Sequence, residues 1–305
     1  MPITSIAGFF GGKRAMAAKI VEQLGRPRLF CEPFMGGLSV IMRLEKCEHE
    51  IVNDLHGGVV CLARVVANAT FAPLLYERLA RTCFSEDLLA ASVRRLRHNS
   101  VPESCPCNEA SLDFAYDYFL ATWMGRNGVA GLKRIDFNIA VRYTTGGGSA
   151  TVRWANAIAS IPAWHKRLLN VTILNRCGIG LLGKIDDRAD TAIYCDPTYL
   201  RKTRAGTARY LHEMSEPSPS PAPDNLFCAA ADAPAVKSDH EKIVEACHSF
   251  KKAKIVVSHY DCQWYRDAFA GWTVIDCPMP RTLARANRRG PVPDGQDAPE
   301  LLFVN

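Results

Sequence analysis

The sequence predicts an α/β fold: a mainly parallel sheet with helices on both faces and a mainly helical lobe inserted into it. Three observations carry this reading. Short apolar strands alternate with amphipathic helices over residues 1–69 and again from 166 to 305. Between them, residues 70–165 break that rhythm and read as successive helices. The 305 residues are 48% hydrophobic and 22% charged, enough apolar material for one large core under an ordinary surface. Strands that alternate with helices pair in parallel, because each crossover helix brings the chain back to the same end of the sheet.

The elements follow in order. GFFGGKR (8–14) sets two aromatics and Lys13 around paired glycines. A lysine on such a loop is placed to neutralise a carboxylate, and the spacing of a phosphate-binding P-loop is absent. RLFCEPFMGGLSVIMRLEKC (28–47) reads as strand, glycine turn and helix. Gly36 and Gly37 let the backbone approach a ligand closely, or simply make a tight turn, and Leu38 stands where a dinucleotide fingerprint would have a further glycine. HEIVNDLHGGVVCLARVVANA (49–69) repeats the pattern. Asp54 ends its strand 18 residues after Gly36, suited either to ribose hydroxyls or to capping the next helix.

APLLYERLARTCF, DLLAASVRRLRHN and SLDFAYDYFLATWMG give the helices of the insertion, which then turns glycine-rich and basic. TAIYCDPTYL (191–200) is a strand stopped by Pro197, which removes a backbone donor and biases Asp196 away from helix. A carboxylate at a strand's carboxyl end is where open α/β sheets place ligands, although a bare Asp-Pro also suits a simple turn. The Pro-, Ala- and Ser-rich stretch 215–238 reads as a mobile loop. DHEKIVEACHSFKKA is a helix, KIVVSHY a strand, CQWYRDAFAG a helix closed by Gly271, and WTVIDCP and ELLFVN are strands.

Composition limits the function classes. A net charge of +6 leans towards a polyanionic partner without requiring one. No apolar run reaches the length of a membrane span, and the N-terminus lacks the pattern of a secretory leader. The twelve cysteines are scattered, without the paired spacing of a zinc site, so reduced thiols in a cytoplasmic setting are expected. Basic residues group at Lys202, Arg204 and Arg209, and at Arg281, Arg285, Arg288 and Arg289. GRNGVAGLKR (125–134) and VRYTTGGGSATVRW (141–154) combine basic, amide and aromatic side chains with glycine, as phosphate contact and groove reading require.

The ordered set FFGGKR, EPFMGG, VND, a helical insertion and CDPTY resembles the Dam-like class of N6-adenine-specific DNA methyltransferases. RYLHEM, DHEKIVEACHSF, KIVVSHYD, GWTVIDCP and ELLFVN extend the likeness over nearly the whole chain. The resemblance implies a Rossmann-like methyltransferase sheet using S-adenosylmethionine, divided into catalytic parts at 1–69 and 166–305 and a target-recognition region at 70–165. By carry-over, Phe9, Lys13, Asp54 and Asp196 line the cofactor, with Glu32, Phe34 and Gly36 in the first turn. Asp196, Pro197 and Tyr199 would form the catalytic turn, two acceptors for the adenine amine and a ring to stack on the flipped base. Arg126, Asn127, Lys133, Arg134, Lys202, Arg204, Arg288 and Arg289 are the expected contacts to double-stranded DNA.

No metal is implied, the expected setting is a prokaryotic or phage cytoplasm, and a companion restriction nuclease is left open. Competing readings are a catalytically weak or inactive DNA-binding relative and an enzyme acting on cytosine N4 or RNA adenine. Three departures stand out: Thr198 replaces a second proline, Leu38 replaces a glycine, and Cys177-Gly178 stand where many relatives carry an acid.

Overall fold

The computed structural model describes residues 3–101, 107–125, 130–131, 138–141, 148–204, 210–217, 237–277 and 300–305. After the N-terminal segment come α1 (Ala17–Leu24), β1 (Leu29–Glu32), β2 (His49–Asn53) and α2 (Gly57–Ala67). Four helices follow: α3 (Phe71–Ala80), α4 (Glu86–His98), α5 (Glu109–Trp123) and α6 (Ala150–Leu168). The chain then returns to β3 (Thr172–Leu174), α7 (Gly178–Leu182) and β4 (Thr191–Cys195). It closes with α8 (Asp239–Ser249), β5 (Lys254–Tyr260), α9 (Gln263–Ala268), β6 (Thr273–Cys277) and β7 (Glu300–Val304).

The strands form one sheet in the order β3-β2-β1-β4-β5-β7-β6. Every pairing is parallel except those of β7, which runs antiparallel to both β5 and β6. From β1 the chain steps outward to β2 and β3, and from β4 it steps outward the other way. The strand order therefore reverses between β1 and β4, and a crevice opens at their carboxyl ends.

Burial follows from that layering. β4 is buried at every position, as a central parallel strand covered on both faces must be. On one face, Val52, Tyr194 and Val256 of the sheet share a continuous core with Phe119, Trp154 and Trp164 of the inserted helices. On the other, Ile193, Ile255 and Phe303 pack against Ile243 of α8 and Tyr265 of α9. The N-terminal segment is pinned to the insertion by indole donors: Trp123 Nε1 bonds the Ile6 carbonyl at 2.9 Å and Trp164 Nε1 that of Ile3 at 2.5 Å. No single described helix is long and apolar enough to cross a membrane. Among the described residues no cysteine is in a disulfide, and Cys31, Cys61, Cys195, Cys247 and Cys277 are buried.

Two expectations change. The helix read after EPFMGG is instead a run of turns through residue 44. Its start is interrupted by Leu38, which adopts φ 64, a left-handed conformation that a helix cannot begin from and that is costly for a bulky side chain. Leu38 is fully buried, and that burial offsets the strain. The stretch 141–154, read only as basic and glycine-rich, runs from its serine at 149 into α6, whose first turn that side chain caps. Of the expected mobile loop, residues 218–236 lie outside the described residues.

Candidate active site

A cleft opens at the carboxyl ends of β1 and β4, with an empty volume of about 1120 Å³, its open mouth included. Its walls bring together Phe9, Lys13, Glu32, Phe34, Gly36, Asp54, Asp196 and Pro197, residues spread over nearly two hundred positions of the chain.

One end is built on backbone. Asn53, the buried last residue of β2, ties three strand ends together: its amide nitrogen donates to the Pro33 and Arg176 carbonyls at 2.9 Å, and its oxygen accepts from Arg176 N at 3.0 Å. That bracing aims the next residue, Asp54, into the cleft. Asp54 Oδ2 accepts from the Gly36 amide at 2.9 Å and Oδ1 from the His56 amide at 2.8 Å. Capping of α2 falls to His56, whose Nδ1 accepts from Val59 N at 3.3 Å, so Asp54 is not the helix cap. Burial pushes the Asp54 carboxyl up to about 6, against the pull of the His56, Gly36 and Leu55 amides. Gly36 has φ 44, and a Cβ there would lie 3.2 Å from the Phe9 ring, so both dihedral and space call for glycine.

Glu32 ends β1 on the same wall. It is buried, its Oε2 has no hydrogen-bond partner, and burial together with Asp196 holds its carboxyl well above the usual range. An orphaned polar atom on a cleft wall is a vacant valence for a ligand. Phe34, Cys177, Gly178 and Ile179 add an apolar slot beside it.

The other end is built on side chains. Asp196 follows β4. Its Oδ1 accepts from Ser258 Oγ at 2.8 Å and its Oδ2 pairs with Lys13 Nζ at 2.9 Å. Because Ser258 has spent its only proton, the Tyr194 hydroxyl, 2.8 Å away, must donate to Ser258. Lys13 also meets the Gly11 carbonyl at 2.5 Å and Glu300 Oε1 at 3.2 Å. Burial works against the Lys13 charge, but the two carboxylates more than offset it and hold the ammonium above the usual lysine range. Asp196 is shifted upward, first by burial and then by Glu300, with Lys13 and Ser258 opposing.

Tyr199 is buried rather than on the cleft wall. Its hydroxyl donates to Glu300, and its ring lies 4.6 Å from the His259 ring and 4.7 Å from that of Tyr260. His259 grips the same turn from β5: its Nε2 accepts from Leu200 N at 3.0 Å while Nδ1–H donates to the Tyr260 carbonyl at 2.7 Å. Burial lowers its pKa to about 3, so it stays neutral and keeps that acceptor lone pair. Thr198 accepts from Met214 N at 3.4 Å, a bond that a proline ring in its place would lack. Phe10 and Tyr210, whose ring centroids lie 5.2 Å apart, do line the cleft, and Tyr210 lies close enough to Lys13 and Asp196 to feel their charges.

Asn53, Ser258, His259, Tyr210 and Glu300 were not singled out by sequence reasoning. Ser258 and His259 left a signal, a polar pair ending an apolar strand; Glu300 left none beyond being an acid at the head of one.

The expected DNA contacts divide. Lys202 is exposed on a single 3-10 turn just past Tyr199 and Leu200. Arg204 forms a bidentate pair with Glu213, at 3.0 and 2.8 Å, with its side chain largely buried. Arg126, Asn127, Lys133, Arg134, Arg288 and Arg289 lie outside the described residues. Among the described residues, no group of three or more His, Cys, Asp or Glu is placed to hold a metal ion.

Comparison with curated proteins returns no match. The family model of the D12 class N6 adenine-specific DNA methyltransferases matches residues 9–220, which spans the cleft residues from Phe9 to Glu213 and stops short of Ser258, His259 and Glu300. With that match covering more than half of the chain, on a sheet whose strand order reverses at the cleft, the protein belongs to the D12 class of N6 adenine-specific DNA methyltransferases.

Proposed function

We propose that the methyl donor is S-adenosylmethionine, held along Phe9, Glu32, Phe34, Gly36 and Asp54, and that Asp196 and Pro197 bond the adenine, with Tyr199 of the same turn buried behind them. The single observation supporting this most is the position of Asp196, anchored at both oxygens and sharing one cleft with Asp54 and the orphaned Glu32. Asp54, braced by two amides, keeps lone pairs for ribose hydroxyls. Glu32 offers its unpartnered oxygen to a polar group of the donor. Phe34 and Ile179 shield the nucleoside face.

The exocyclic amine of adenine is a weak nucleophile because its lone pair is delocalised into the ring. Asp196 and the Pro197 carbonyl accept its hydrogens and so concentrate electron density on nitrogen. The donor supplies an electrophilic methyl group on sulfur. The nitrogen lone pair forms the new C–N bond, the C–S pair returns to sulfur, and the surplus N–H proton passes to Asp196 and then to water. The base must leave the duplex for this geometry to exist. Residues 70–165 are read as the target-recognition region, flanked by catalytic parts at 1–69 and 166–305, with Lys202 at the phosphate backbone of double-stranded DNA. A prokaryotic or phage setting fits this chemistry.

Transfer of a labelled methyl group from S-adenosylmethionine to unmethylated duplex DNA, followed by digestion to nucleosides, tests the reading. N6-methyladenosine is expected; no transfer from this donor, or full activity in Asp196→Ala, sinks it.

A further inference from the structure

Glu300 belongs to none of the motifs that define the cleft, yet it completes the Asp196 end. β7 is antiparallel, so its first residue lies beside the last residue of β5, in register with Tyr260. That places a carboxylate at the edge of the sheet where the parallel strands present their carboxyl ends. There it accepts from the Tyr199 hydroxyl and pairs with Lys13 at 3.2 Å, with its side chain 12% exposed. The Lys13 ammonium is 4.8 Å from the Tyr199 ring centroid, so one carboxylate organises both the cation and the ring. Asp196 and Glu300 thus share a single buried ammonium, and the trio carries one surplus negative charge.

We infer that Glu300 is a positioning residue for methyl transfer: it holds Lys13 and Tyr199 in place and, by sharing the lysine, leaves Asp196 a stronger proton acceptor than a private ion pair would. This rests on the role proposed above for Asp196. When nitrogen gains the methyl group it must lose a proton, and the carboxylate already bonded to that amine is the nearest base. A lysine devoted to Asp196 alone would hold its charge too firmly to take that proton. Glu300 divides the lysine's attraction and adds like-charge repulsion, both of which raise the proton affinity of Asp196. The upward shift of Asp196, with Glu300 among its causes, agrees. The other ionisable groups that interact with Asp196 include Glu32 of β1, Asp54 just past β2, Tyr194 and Cys195 of β4, Tyr199, Tyr210 across the cleft and Tyr265 of α9. Tyr199 bonds Glu300 directly and Lys13 pairs with it, so Glu300→Gln keeps an acceptor for the phenol while removing the charge.

The test compares wild type, Glu300→Gln, Tyr199→Phe and Asp196→Ala across pH. In Glu300→Gln the acid limb of kcat should move to lower pH by roughly half to one unit, with the plateau about three- to tenfold lower. Tyr199→Phe removes the donor that partly neutralises Glu300 and should move the limb the opposite way. Carbon-13 titration of labelled aspartate in the free protein reads the same displacement without turnover, with the Asp196 resonance identified by its loss in Asp196→Ala. An unmoved limb and an unmoved Asp196 titration in Glu300→Gln would overturn the inference, since a purely structural anchor alters neither. Full activity in Asp196→Ala would instead strike at the reading beneath it.

Discussion

At the Asp54 end of the cleft, the ligand-facing groups hang from backbone amides and turns drawn from two neighbouring strands, β1 and β2. At the Asp196 end they are side chains from residues 13, 196, 258 and 300, held to one another by charge and hydroxyl protons. The first arrangement is rigid because the sheet is rigid. The second is set by a balance of charges and shifts when any one member changes. A binding subsite needs fixed acceptors, whereas a group that must take up a proton needs a tunable one.

Removing Asp196 should separate the two ends most sharply. Asp196→Ala is expected to lower kcat by about a thousandfold or more, because the oriented acceptor for the reacting amine disappears. Circular dichroism should stay unchanged, and the nucleoside-binding face should remain intact.

Asp54→Ala should act on binding instead. Loss of a charge-assisted acceptor is expected to raise the dissociation constant for S-adenosylmethionine by roughly ten- to a hundredfold in calorimetry. A comparable fall in kcat at saturating cofactor would show that the ends are not independent.

The same residue predicts a pH dependence. Asp54 has its pKa raised to about 6, so protonation on descending through that pH removes the ionised acceptor. Cofactor affinity should therefore be full above pH 7 and fall below about 6, by up to roughly tenfold per unit, an effect that Asp54→Asn should flatten.

The smallest effect belongs outside the cleft. Lys202→Ala should weaken duplex binding a few-fold at every sequence and reduce the salt slope by about one. No change in slope would remove Lys202 from the DNA face.

The first end was legible in the sequence for the reason that makes it rigid. Its glycine turn, its acid at a strand end and the spacing between them are local features, and locality is what a linear motif records. Asp196-Pro197 was legible likewise, as a strand halted at the sheet's working edge. Which ring would lie open to the cleft was not, because Tyr199 and Tyr210 differ in burial rather than in chemistry. The pairing of Arg204 was not legible for a related reason: an arginine in a basic cluster announces its charge, while its partner Glu213 lies nine residues on in a segment without periodicity. Glu300 was invisible because its place depends on the one reversal of strand direction in the sheet, which no local pattern encodes.

That reversed strand has a consequence for synthesis on the ribosome. β6 pairs with β7 alone, so it cannot join the sheet until β7 has been made and threaded in beside β5. Lys13 emerges long before residue 300 and must wait for it before it gains its second carboxylate. A nascent chain can thus carry Gly36, Asp54 and Asp196, all translated, and still lack a closed charge cluster. A chain stopped just before β7 would carry Gly36, Asp54 and Asp196 and lack Glu300, leaving Lys13 with one carboxylate instead of two.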